Sequence, residues 1–121
     1  NPNITTLAIF LEPADNARLA HLCGPFNDNL KQLERRLGVE ITYKNNHFHI
    51  TGNPVNAHSV MDILRDLYIE TQAVKGQTQD IEPEQVHLAI QSSKALEQDQ
   101  QIIQQVLTYN QNKTGGDQTA W

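Results

Sequence analysis

A β-hairpin is the feature of this sequence that most constrains its fold. Apolar and polar side chains alternate from Val39 to Lys44 and alternate again from His47 to Thr51. Asn45-Asn46 separates the two segments, and asparagine tolerates the positive φ of a tight turn. One face of the hairpin is apolar and the other is polar. The pattern therefore predicts an α+β fold in which helices cover one face of a small sheet.

A strand and two short helices are predicted before the hairpin, at residues 7–11, 16–23 and 28–37. Asp15 is the expected N-cap of the first helix. Gly24-Pro25 breaks the chain between the two helices, because neither residue suits a helix interior. Gly38 lies where a C′ glycine ends the second helix.

A third helix is predicted from Pro54 to about Thr71, which gives the order β-α-α-β-β-α. A linker follows, and Pro83 is placed in the first turn of another helix. From Glu97 the sequence is rich in Gln and Asp. We therefore expect three parts: a first domain over residues 1–74, a linker and additional helix over 75–98, and a flexible polar tail over 99–121.

The loop between the two short helices is the main candidate site. Two helices joined by a glycine-containing loop, then a hairpin and a closing helix, resemble the KH module, whose GxxG loop holds single-stranded nucleic acid. Glycines let phosphates approach backbone N–H groups, and the next helix presents its positive end. Asn27 stands at the second glycine position and can adopt the left-handed conformation. The predicted RNA-binding residues are Gly24, Pro25, Phe26, Asn27, Lys31 and Arg35.

Five segments resemble the amino-terminal region of bacterial PhoH-like proteins, a family of ATPases. They are Leu11–Leu19, Cys23–Phe26, Lys31–Gly38, Asn46–Phe48 and Asp80–Ile90. The resemblance implies that residues 1–74 form a KH-like accessory domain in a cytoplasmic protein of RNA metabolism. It also implies a P-loop ATPase domain elsewhere in the same protein, with ATP and Mg²⁺ as its cofactors. A ribosomal-RNA-maturing endoribonuclease is an implied partner.

The chain is not expected to be an enzyme by itself. A P-loop needs glycines ahead of its Lys-Thr pair, and here Gly115-Gly116 follow Lys113-Thr114. Cys23 lies on an apolar helix and is expected to be buried rather than nucleophilic. We therefore expect neither catalytic residues nor a cofactor in this chain.

Composition limits the candidate functions further. The net charge of −5 means that nucleic-acid binding would depend on a local patch and would be sensitive to salt. A single cysteine provides no disulfide framework. No apolar run approaches the ~20 residues of a membrane span. These features favour the cytoplasm and no contact with a membrane.

Alternatives remain open at several positions. The chain could be a protein-interaction or self-association module without RNA binding, and its oligomer seam would comprise Ile102, Ile103, Val106 and Leu107. The loop could be a plain helix-helix turn with Phe26 packed inward, and Lys31 and Arg35 could belong to a solvated face. Phe26 and Tyr43 could stack bases or lie in the core. His47 and His49 share a strand face, but no third metal ligand is evident by spacing.

Overall fold

A computed structural model describes the backbone of residues 3–120 and the side chains of residues 3–93 and 103–111. The chain divides into two compact units, Asn1–Ile90 and Gln91–Trp121. Its strands are β1 (Thr5–Phe10), β2 (Glu40–Lys44) and β3 (His47–Gly52). Its helices are α1 (Asn16–Cys23), α2 (Asp28–Leu37), α3 (Pro54–Glu70) and α4 (Pro83–Ala120), and a 3₁₀ turn over Pro25–Asn27 joins α1 to α2.

The sheet has the strand order β1-β3-β2, and both pairs are antiparallel. The hairpin turn at Asn45 has a positive φ of 55°, as predicted for an asparagine turn. Phe48 at the centre of β3 pairs with Ile9 of β1 and with Tyr43 of β2. The predicted α+β class, with a small sheet packed against helices, is confirmed.

The core lies between the helices and one face of the sheet. Phe48 and Ile50 of β3 are fully buried, and so are Leu33 of α2 and Leu64 of α3. Burial of such a side chain contributes about 1.5–3 kcal/mol. The helices therefore cover only the apolar face that the strand alternation predicts.

The predicted helix ends are confirmed by their caps. The Asp15 carboxylate accepts the N–H of Arg18 at 3.1 Å, and Gly38 ends α2 at φ 63°. Strand β1 begins two residues earlier than predicted and ends at Phe10. Leu11 follows the last residue of β1, and its N–H donates to the carbonyl of Asn46 in the hairpin turn at 2.9 Å.

The segment after α3 packs on the same core. Val74 and Gln77 form an isolated β-bridge, and the tight turn between them consists of Lys75 and Gly76, both with positive φ. Ile81 is buried, and its N–H donates to the carbonyl of His21 at 3.2 Å. The core then continues along α4 to Ile90. The compact unit therefore extends beyond residue 74, where we placed the end of the first domain.

In the second unit, α4 continues as far as Ala120, so the stretch that we expected to be a polar tail is helical to that residue. Ile103, Val106 and Leu107 are exposed on it, whereas the side chain of Ile102 lies outside the described residues. Among the helices that the structure describes, none is long and apolar enough to cross a membrane.

Candidate nucleic-acid interface

The loop between α1 and α2 makes an unusual backbone turn. Gly24 has φ 78° and ψ 173°, in a region that is essentially restricted to glycine. Phe26 and Asn27 then follow with φ of 55° and 59°, both left-handed. The turn therefore survives with asparagine at the second glycine position, as predicted. It leads directly into the first turn of α2 at Asp28.

Phe26 points into solvent. Its side chain is 87% exposed, and Pro25 beside it is also exposed. The interpretation that packs Phe26 inward is therefore wrong. This exposure coincides with two successive left-handed residues, Phe26 and Asn27.

Asn29 holds the base of the loop. Its amide is buried and donates to the carbonyls of Leu22 at 3.0 Å and Ile81 at 2.8 Å. A Cβ added to Gly24 would lie 2.9 Å from Asn29 Nδ2, closer than real Cβ atoms approach. Gly24 is therefore required both by its backbone conformation and by this close approach.

Tyr43 braces the loop from β2. Its hydroxyl donates to Asn27 Oδ1 at 2.9 Å, and its ring stacks on Phe48 with centroids 4.9 Å apart. Partial burial raises the pKa of Tyr43, and the adjacent Cys23 thiol raises it further. One face of the Tyr43 ring packs on the core, and the side chain is still 40% exposed.

Two cations follow the loop on α2. Lys31 and Arg35 are exposed, and neither forms a hydrogen bond or an ion pair with any side chain that the structure describes. Arg36, by contrast, contacts His87 Nδ1 at 2.6 Å and donates to Gln32 Oε1 at 3.3 Å. Lys31 and Arg35 are therefore the α2 cations that remain available to a ligand.

The carboxylates near the loop have different orientations. Glu34 turns toward the sheet, where Oε2 accepts the N–H of Ile41 at 2.9 Å. Asp28 is exposed in the first turn of α2. The first N–H groups of a helix have no intrahelical partner and attract anions, so Asp28 competes with a phosphate at this helix end.

The other chemical candidates are Cys23 and the pair of His47 and His49. Cys23 is buried, and burial raises the pKa of its thiol, which disfavours the nucleophilic thiolate. His47 and His49 lie side by side on the sheet face opposite the core. Across the described residues, no group of three His, Cys, Asp or Glu side chains could hold a metal ion.

The sequence reasoning missed the two side chains that fix the loop. Asn29 is the second residue of α2, in the first turn, where a polar residue is common, so no sequence signal pointed to its role. Tyr43 was considered only as a stacking or core residue. Both act through partners distant in sequence, Ile81 and Asn27 respectively.

No protein-family model matches the sequence. Among solved structures, the chain is similar to the crystal structure of a protein of unknown function from Aeropyrum pernix, with 9% identity and a TM-score of 0.60. The match covers 86% of this chain and 54% of the other, so this chain spans about half the length of the structure that it matches. At this identity the likeness shows the fold alone.

Proposed function

We propose that this chain is an accessory domain that binds single-stranded RNA through the loop over residues 24–27 and the cations of α2. The observation that carries the proposal is the loop itself. Gly24 and Asn27 form a braced turn that leads into a helix N-terminus and presents an exposed Phe26 ring. The N–H groups of Gly24 and Asn27 already donate to the carbonyls of Ala20 and Gly24. The N-terminus of α2 is therefore the part that suits a phosphate, and the exposed ring suits a base.

The charges near the loop support a weak, salt-dependent interaction. Lys31 and Arg35 are unpaired among the described side chains, whereas Asp28 and the net charge of −5 oppose phosphate binding. Each phosphate neutralised on a single strand contributes about −0.7 to the slope of log K against log salt. Two contacts therefore give about −1.4, or about a 7-fold loss of affinity between ~50 and ~200 mM salt.

In this proposal the domain belongs to a longer cytoplasmic protein that resembles the PhoH-like ATPases. The ATP and Mg²⁺ site would lie in a separate P-loop domain of that protein. The chain would position RNA for that domain and for a ribosomal-RNA-maturing endoribonuclease. Its own role is binding, without catalysis.

Fluorescence anisotropy with a labelled single-stranded RNA of about 10 nucleotides, within the usual site size of ~4–16 nucleotides, tests the proposal. The double variant Lys31→Gln/Arg35→Gln should bind more weakly and should reduce the size of the salt slope by about 1.4. The matched control is Arg65→Gln/Lys75→Gln, which removes two exposed cations elsewhere. Both double variants change the net charge from −5 to −7 (−5 − 2). Equal effects of the two would contradict a localised site.

Self-association is a second candidate function, favoured by the apolar residues of α4. Ile103, Val106 and Leu107 are each more than half exposed and follow helical spacing. Such a face could pair with a second copy of the chain. Sedimentation equilibrium should then show a dimer that Val106→Gln converts to monomer, and a monomeric wild-type chain would exclude this function.

A further inference from the structure

Three aromatic rings form a ladder on the face of the sheet that the helices leave uncovered. Phe10 at the end of β1 is 60% exposed. Its ring stacks on the imidazole of His47, with centroids 4.1 Å apart and planes 6° apart. The ring of His47 lies 4.4 Å from that of His49, at a tilt of 59°. Phe48, between the two histidines in sequence, is buried on the other face.

The charge on this face is arranged to suit an anion near the rings. His47 pairs with Phe10 on one side and with Lys44 on the other, so the three side chains form one row across the sheet. The next row, through His49, contains no carboxylate. Glu40 lies two rows from Lys44, about 13–14 Å along β2 at ~3.4 Å per residue. A cation therefore adjoins the rings, and the acidic residue of β2 lies at the opposite end.

We propose that the Phe10-His47-His49 ladder is a second binding surface for single-stranded nucleic acid. Bases stack on the rings, and Lys44 contacts the phosphate backbone. Aromatic side chains on neighbouring strands of an open sheet bind two or three bases in this way, because every base has a π-face. The stack on His47 covers one face of the Phe10 ring and leaves the residue 60% exposed, so a base would stack on the remaining face.

A protein partner fits this face less well. The buried centre of a protein interface is largely apolar. On this face of the three strands, only Phe10 and Ala8 are apolar, and the remaining positions carry His, Thr, Lys and Glu. Stacking rings beside a cation suit a base and its phosphate, whereas they provide little of the aliphatic surface that a folded partner buries.

This surface shares no residue with the loop at 24–27 or with Lys31 and Arg35. It therefore goes beyond the proposed function, and the two sites can be tested separately. The test measures binding of a fluorescent single-stranded RNA of about 10 nucleotides to Phe10→Thr, which keeps a strand-forming residue. Loss of one stacked base should weaken binding by about 5-fold or more, both in the wild-type chain and in Lys31→Gln/Arg35→Gln.

Two further variants keep the test decisive. Phe10→Trp retains a ring and should bind RNA at least as well as the wild type. Ile69→Ala removes an exposed apolar side chain from α3 and should leave binding unchanged. Unchanged affinity of Phe10→Thr, or equal losses in Phe10→Thr and Phe10→Trp, would overturn the proposal. The proposal would also be overturned if the wild-type chain formed a dimer that only Phe10→Thr dissociates, with no change in affinity for RNA. That result would mean that the surface binds a second copy of the chain.

Discussion

Replacement of Gly24 by alanine should destabilise the protein far more than the same change at Gly38. Both glycines have a positive φ, so the pair separates the cost of left-handed backbone from the cost of local packing. Gly38, at φ 63° and ψ 38°, lies in the ordinary left-handed region, and a Cβ there would meet no atom within 4 Å. Alanine at Gly38 should therefore cost about 1–2 kcal/mol.

The expected cost at Gly24 has two parts. Its φ of 78° and ψ of 173° lie in the glycine-only region, where another residue costs about 1–3 kcal/mol. The new Cβ would also displace Asn29, whose two buried hydrogen bonds contribute together about 1–3 kcal/mol. The total is about 2–6 kcal/mol.

Urea unfolding followed by far-ultraviolet circular dichroism measures both variants. If their free energies of unfolding differ by about 2 kcal/mol and the m-value is about 1–3 kcal/mol/M, the Gly24→Ala midpoint lies ~0.7–2 M below that of Gly38→Ala. A Gly24→Ala midpoint equal to or above that of Gly38→Ala would refute the role assigned to Gly24 and Asn29. The m-values of the two variants should agree, since a change in m would signal a different unfolding reaction.

Four further changes test other contacts. Tyr43→Phe should cost about 0.5–1.5 kcal/mol by loss of the hydrogen bond to Asn27, and hydrogen exchange should quicken in the loop while the strands stay protected. Arg18→Met should cost about 1–3 kcal/mol in urea unfolding, because the buried guanidinium donates to two oxygens at the end of α3; an unchanged midpoint would contradict this. Burial raises the pKa of Cys23 above its ordinary 9.0, so the folded state holds the thiol proton more tightly, and stability should fall as pH rises above that value. Denaturation at about pH 8 and about pH 10 should show a smaller fall in Cys23→Ala than in the wild type. Ile81→Ala should cost about 2–5 kcal/mol despite its place in a predicted linker, and a cost near zero would show that the segment does not belong to the core.

The fold could be predicted from the sequence because its signals are local. Alternation identified β2 and β3, and caps at Asp15 and Gly38 fixed helix ends to within a residue. The inclusion of Ile81 in the core could not be predicted in the same way. That contact joins segments about 60 residues apart, and the surrounding Gly, Gln and Thr residues are typical of a linker.

The candidate site likewise combines features that the local sequence predicts with features that depend on tertiary contacts. A turn at Gly24 was predictable, since only glycine supplies its backbone conformation without strain. The direction of Phe26 was not, because it depends on two consecutive left-handed residues, and phenylalanine rarely adopts that conformation. The buried amide of Asn29 and the brace from Tyr43 depend on tertiary contacts that no short pattern encodes.

An NMR titration of the ¹⁵N-labelled chain with short single-stranded RNA, at low and at moderate salt, tests the central claim most directly. The proposal predicts chemical-shift changes in the amides of Gly24 and residues 26–31 that diminish as salt rises, since the contacts there are largely to phosphate. The absence of changes in these amides at ~1 mM RNA, well above the range of ordinary nonspecific binding, would contradict RNA binding by the loop.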